Sequence, residues 1–140
     1  MKKATILAAL CVFMGLAAVP SHAQTGGVKV NVPFQFEVAN KTLPEGEYLL
    51  WSSKDNVFIQ SSQGRTVAIV SSNAVSGSAA GKTGQVVFQC YGRHCFLSEL
   101  WSPIQYAGRQ LPKGRREEEL AKKKTPQYFA LAGALDNRQR

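Results

Sequence analysis

The sequence predicts a small all-β domain, a sandwich or partly closed barrel of six or seven antiparallel strands, with a charged helix near the C-terminus. Three observations predict it. Apolar and polar residues alternate without interruption over residues 28–38. Turn chemistry then recurs at spacings of about ten residues, as in domains built from antiparallel hairpins. One segment only, residues 115–124, carries charges in helical order.

The alternation places Val28, Val30, Val32, Phe34, Phe36 and Val38 on one face and Lys29, Asn31, Pro33, Gln35 and Glu37 on the other. A period of two with one wholly apolar face marks a half-buried strand. Pro33 has no N–H for a ladder, so the strand is expected at a sheet edge or with a bulge at Pro33. Leu43-Pro44-Glu45-Gly46 reads as a turn, because proline presets φ and glycine accepts a positive one. A strand is expected over 47–53, a turn at Asp55-Asn56, a strand over 57–61, a turn at Gln63-Gly64 and a strand over 65–71.

Residues 71–84 are rich in serine, glycine and alanine without a period, which predicts a long flexible connection. Gln85–Tyr91 and His94–Trp101 read as a hairpin about Gly92-Arg93. From 102 to 113 an irregular stretch is expected, punctuated by Pro103, Gly108 and Pro112. The helix follows over 115–124. Glu118 and Glu119 precede Lys122 and Lys123 by four residues, and the lysines are expected in the last turn, where the helix dipole favours them. Thr125-Pro126 ends it, since proline disfavours a helical residue before it. A short strand is expected over 128–131.

Residues 1–23 have the layout of a secretory signal peptide. Lys2 and Lys3 precede an apolar run, Val19-Pro20 breaks it, and Ser21-His22-Ala23 supplies small residues before Gln24. The run is too short for a permanent span of a bilayer core of about 30 Å. Cys11 lies inside the run rather than at its end, which argues against lipid attachment. Cleavage leaves 24–140 as a single domain in a periplasmic or extracellular setting, with no transmembrane segment expected. Chemistry that depends on cytosolic cofactors is disfavoured there, and no cofactor is expected.

The formal net charge is +8 over 140 residues, and it is unevenly placed. Residues 24–108 carry six Lys/Arg against five Asp/Glu, whereas 109–140 carry nine against four. A near-neutral body with a basic C-terminal segment points to an anionic envelope component as partner. Arg115, Arg116, Lys122, Lys123 and Lys124 are its candidate contacts. Leu120 and Ala121 give too little apolar face for membrane insertion. No aromatic residues interleave with the charges, so nucleic acid is not an expected partner.

Several blocks together resemble a family of small exported bacterial proteins with no known activity. They are Val32-Pro33-Phe34-Gln35-Phe36, Leu43-Pro44-Glu45-Gly46-Glu47-Tyr48, Tyr91-Gly92 with Phe96-Leu97-Ser98-Glu99-Leu100-Trp101, and Gly108-Arg109-Gln110-Leu111-Pro112 leading into the helix. The resemblance covers most of the chain after residue 23 and implies export and this fold, but no activity. Cys90, Cys95 and Gly114 depart from the family pattern.

Cys90 and Cys95 are the two thiols that remain after cleavage, and an even number in an exported chain reads as one disulfide. A two-residue loop at Gly92-Arg93 sets Cys90 opposite Cys95 at a non-hydrogen-bonded pair, about 4.5 Å apart at Cα. A metal site is the competing reading, because His94 lies beside them, but it lacks a fourth ligand and competes with oxidation. A redox pair would more ordinarily be C-x-x-C at a helix N-terminus. Gly81-Lys82-Thr83 resembles the end of a phosphate loop, but Ser76 stands where its first glycine belongs.

His94, Ser98 and Glu99 supply the residue types of a hydrolytic triad. On one strand His94 and Ser98 lie about 13 Å apart, beyond hydrogen bonding. The acids Glu37, Glu45, Glu47, Asp55 and Glu99 are scattered over strands and turns, and solvated surface groups are the ordinary reading. The aromatics Phe34, Phe36, Tyr48, Trp51, Phe58, Phe88, Phe96 and Trp101 read as core, or as the lining of a ligand cavity if the sheet closes. The leading expectation is an exported, non-catalytic module that binds or structures something at the cell envelope. A carrier of a small apolar ligand is the alternative, and an envelope hydrolase is disfavoured.

Overall fold

The computed structural model describes residues 27–77, 84–102 and 108–136. The signal peptide expected over 1–23, Cys11, the Gly81-Lys82-Thr83 motif and Pro103 lie outside them. The described chain is all-β with one short helix, as the sequence predicts. The strands are β1 (Gly27–Val32), β2 (Phe36–Val38), β3 (Lys41–Leu43), β4 (Gly46–Ser53), β5 (Asn56–Ser61) and β6 (Thr66–Ser71). They continue as β7 (Asn73–Val75), β8 (Gln85–Tyr91), β9 (His94–Trp101), β10 (Gly108–Gln110), β11 (Gln127–Ala132) and β12 (Ala134–Asp136), with helix α1 (Arg115–Ala121) before β11.

Two sheets share one core. Sheet A runs β12-β1-β4-β5-β6; sheet B runs β11-β8-β9-β10-β7, with β2 and β3 attached beside β9. Val28, Val30, Leu50, Val57 and Ile59 of sheet A meet Phe36, Val86, Phe88, Leu97 and Leu100 of sheet B in a single cluster. Along their strands these positions recur every second residue, as burial of one face requires, except that Leu97 and Leu100 of β9 are three apart across a bulge in the β8–β9 ladder. Phe36 packs edge-on against Tyr48 at 5.2 Å and against Phe88 at 5.3 Å, so the rings fill the space between the sheets.

The alternating run of 28–38 is not one strand. β1 pairs with β4 and β12 in sheet A, whereas β2 pairs with β3 and, in parallel, with β9 in sheet B. Pro33 sits between them, where its missing N–H interrupts no ladder. The predicted connection over 71–84 and the irregular stretch over 102–113 also contain strands, β7 and β10, which pair with each other. These three-residue strands, with β2, β3 and β12, account for a total above the six or seven predicted. The helix is shorter than predicted and ends at Ala121, so Lys122, Lys123 and Lys124 fall beyond it and none lies in its last turn. Lys122 and Lys124 instead donate backbone N–H groups to the carbonyls of Glu118 and Leu120.

One side of the two-sheet body is stitched shut. The chain passes from β11 to β12 at Gly133, whose N–H donates to the Gly84 carbonyl at 2.8 Å. A Cβ at Gly133 would come within 2.3 Å of Val28 Cγ1, so only glycine lets the corner lie this close to β1. The other side is open. Among the described residues β6 pairs only with β5, and β3 only with β2.

Candidate functional site

The open side is a cleft. Its cavity of about 430 Å³ lies between the β2–β3 hairpin, the free edge of β6 and the segment leading into α1. Glu37, Val38, Asn40 and Thr42 form the hairpin wall; Ile69, Val70 and Ser71 form the wall opposite; Leu111, Pro112, Lys113, Arg116 and Glu117 close one end. The volume lies in the range of small-molecule and peptide sites.

The hairpin turns through Ala39 and Asn40, at φ of 51° and 59°. Two consecutive left-handed residues suit the twist of a tight hairpin. Asparagine accepts this conformation; alanine is strained by roughly 1–2 kcal/mol. The strained residue lies on the cleft wall, where a fold holds such geometry only if its surroundings impose it.

Lys41 spans the gap, its Nζ donating to the Val67 carbonyl at 3.3 Å. Val67 lies in a bulge, outside the β5–β6 register that joins Ile59 to Ala68 and Gln60 to Thr66. An edge strand with an unpaired carbonyl is a template for further pairing, and a lysine ammonium is one way to blunt it.

At that closed end of the cleft, Glu117 is 5% exposed although it stands in the first turn of α1. The Tyr91 hydroxyl donates to Gln89 Oε1 at 3.1 Å and lies 3.4 Å from Glu117 Oε1, and Gln89 Nε2 donates to Ser98 Oγ at 3.2 Å. This chain anchors α1 to the outer face of sheet B. Burial pushes the Glu117 carboxyl above the ordinary carboxylate range, against the opposing pull of the Lys113 ammonium and the Tyr91 hydrogen bond. Burial also raises the Tyr91 hydroxyl, and the Glu117 charge raises it further.

The sequence-predicted residues fall elsewhere. Cys90 and Cys95 form a disulfide with Cα atoms 4.0 Å apart, in the register a two-residue loop predicts. His94 therefore stands beside a bonded pair; its Nδ1 lies 3.3 Å from Arg116 Nη2. Arg116 is also ion-paired with Glu37 at 3.0 Å, which offsets its charge while the side chain stays 58% exposed. Arg115, Lys122, Lys123 and Lys124 remain exposed. His94, Ser98 and Glu99 are not assembled: Ser98 serves Gln89, and Glu99 accepts from Trp101 Nε1 at 2.8 Å. Of the aromatics offered as a cavity lining only Phe96 borders the cleft, while Phe36, Tyr48 and Phe88 are core.

Sequence reasoning missed Glu117 and the cleft. Glu117 reads as one of three consecutive solvated glutamates, and no local pattern marks it for burial. The cleft is made by two strand edges brought together from distant parts of the chain. Comparison with protein-family models, curated proteins and solved structures returns no match.

Proposed function

We propose that this chain is an exported, non-catalytic binding module of the cell envelope, with the β3–β6 cleft as its ligand site. The observation that supports the reading is the cleft itself: a cavity of about 430 Å³ with mixed polar and apolar walls, at the side where the two sheets are not joined. Between the sheets, Phe34, Phe36, Tyr48 and Phe88 pack on one another. The disulfide fits an oxidising compartment. Among the described residues no helix is long and apolar enough to cross a membrane. Arg115, Lys122, Lys123 and Lys124 supply an electrostatic contact to an anionic envelope component, attractive at low salt and weakened at high salt.

The test is a photo-crosslinking residue placed in the source cell at Thr42, on the cleft wall, and in a second strain at Ser53, exposed on β4. The reading expects one discrete adduct at position 42 and none at 53. Equal labelling of both positions, or of neither, overturns it.

A further inference from the structure

We propose that the cleft takes an extended polypeptide segment of a partner protein, which pairs through its backbone with the free edge of β6 and lengthens sheet A on its open side. This rests on the reading of the cleft as the binding site and names the class of its ligand.

The direction of the β6 backbone carries the argument. The Ser72 N–H donates to the Asp55 carbonyl at 2.7 Å, so residue 72 faces β5. Backbone groups alternate sides along a regular strand, which turns Ser71 and Ile69, on the near side of the bulge, the other way. Within the bulge, the Val67 carbonyl accepts from Lys41 Nζ, a side chain of β3, at 3.3 Å. Ile69 and Ser71 thus present N–H and C=O groups to the cavity they line. Such a row alternates donors and acceptors at the spacing of an extended backbone, and a polypeptide strand matches it without further adaptation.

Space and side chains agree. A four-carbon lysine stem plus a 3.3 Å hydrogen bond bridges β3 to β6. Beside this contact, the cavity of about 430 Å³ gives an incoming strand its space. Residues 66–71, Thr-Val-Ala-Ile-Val-Ser, carry no charge and no proline of their own, and the bulge and the Lys41 ammonium guard the strand only at Val67, not at Ile69 and Ser71. On the outer face Ile69 is 56% exposed and lies in register with Phe58 and, beyond it, Trp51, which stack at 5.4 Å. An added strand would place an apolar residue at the end of this row and its neighbours in the cleft against Val70 and Leu97. A second copy is the poorer occupant, because each β6 edge stands behind its own β2–β3 hairpin.

The probe is a fluorescein-labelled seven-residue peptide of alternating valine and threonine, read by fluorescence anisotropy against the full mature chain. Saturable binding is expected. An analogue N-methylated at alternate residues loses its donors and should bind at least tenfold more weakly. Ile69→Pro removes an N–H that no ladder uses, and should abolish binding while circular dichroism and thermal unfolding stay near wild type. Lys41→Met frees the Val67 carbonyl and should tighten binding several-fold. Undiminished binding of the N-methylated analogue, or no binding of the parent peptide, overturns the proposal. So does a probe-free dimer in sedimentation that Ile69→Pro dissolves, which would make a second copy the occupant. If the position-42 adduct persists while the peptide fails, the cleft remains the binding site and only its ligand class is wrong.

Discussion

Replacing Tyr91 by phenylalanine deletes one hydroxyl and leaves two acceptors, Gln89 Oε1 and Glu117 Oε1, without their donor in a fully buried setting. A buried acceptor stripped of its partner costs about 1–3 kcal/mol, and bonds to charged groups lie at the upper end. The Glu117 contact is long at 3.4 Å, so we expect a total near 2 kcal/mol at neutral pH rather than the sum of two full penalties. With a urea slope of about 2 kcal/mol per molar, the midpoint falls by about 1 M. The cost must depend on pH. Burial raises the Glu117 pKa in the folded state, so the folded protein holds that proton more tightly than the unfolded chain. The sign follows: the carboxyl's contribution to stability is fully present below its unfolded value and is lost as pH rises through its folded value. In Tyr91→Phe the charged form has also lost its hydrogen bond, which moves the folded pKa further up and deepens that loss. The difference between variant and wild type should therefore be larger at pH 7 than at pH 4. In a Glu117→Gln background the pH dependence of that difference should vanish, and Glu117→Gln alone should stabilise at pH 7 relative to pH 4. Urea titrations followed by near-ultraviolet circular dichroism at the two pH values measure all four quantities. A Tyr91→Phe cost that is the same at both would refute the coupling of Tyr91 to a buried carboxylate.

Four further variants probe contacts elsewhere. Arg109, on β10, donates from Nε to Ser72 Oγ at 2.9 Å and from Nη2 to the Ser72 carbonyl at 2.7 Å, and its side chain is only 12% exposed. Arg109→Ala should cost roughly 2–3 kcal/mol in urea unfolding. Asp55→Asn, which removes an ion-pair partner that is 90% exposed, should cost less than about 0.5 kcal/mol. Gly133→Ala forces a methyl to 2.3 Å from Val28 Cγ1 and 2.9 Å from the Lys29 carbonyl, and should destabilise by about 1–3 kcal/mol or more, read as a lowered Tm. Cys90→Ala/Cys95→Ala should cost about 2 kcal/mol for so short a loop, and the wild-type protein, denatured without reductant, should show no reactive thiol at either position.

Local chemistry made part of this fold legible. The Gly92-Arg93 loop fixed the β8–β9 register and with it the Cys90–Cys95 pairing, because a two-residue turn leaves no other alignment. Turn residues placed β4, β5 and β6 to within a residue or two, with Gly64 at φ of 80° where a glycine was required. The alternation over 28–38 marked the core-facing residues, five of the six apolar ones being buried and Phe34 partly so, but a period of two carries no information about which sheet a strand joins. Only Pro33 marked the crossing from β1 to β2. β7 and β10 had no signal, since three residues that pair with a distant partner need neither a period nor a high propensity. The cleft was illegible for the same reason: it consists of what is left unpaired after β3 and β6 have each found one neighbour. Glu117 was hidden by its company, since Glu118 and Glu119 beside it are exposed and only packing of α1 on Tyr91 distinguishes the three.

Amide hydrogen exchange resolved at single residues tests the central claim most directly. In the free protein the N–H groups of Ile69 and Ser71 should exchange rapidly while those of Ala68 and Val70, turned toward β5, are protected; the valine–threonine peptide should slow the first pair and leave the second unchanged. Protection of Ile69 and Ser71 before any ligand is added, or exchange unaltered at saturating peptide, would contradict the account.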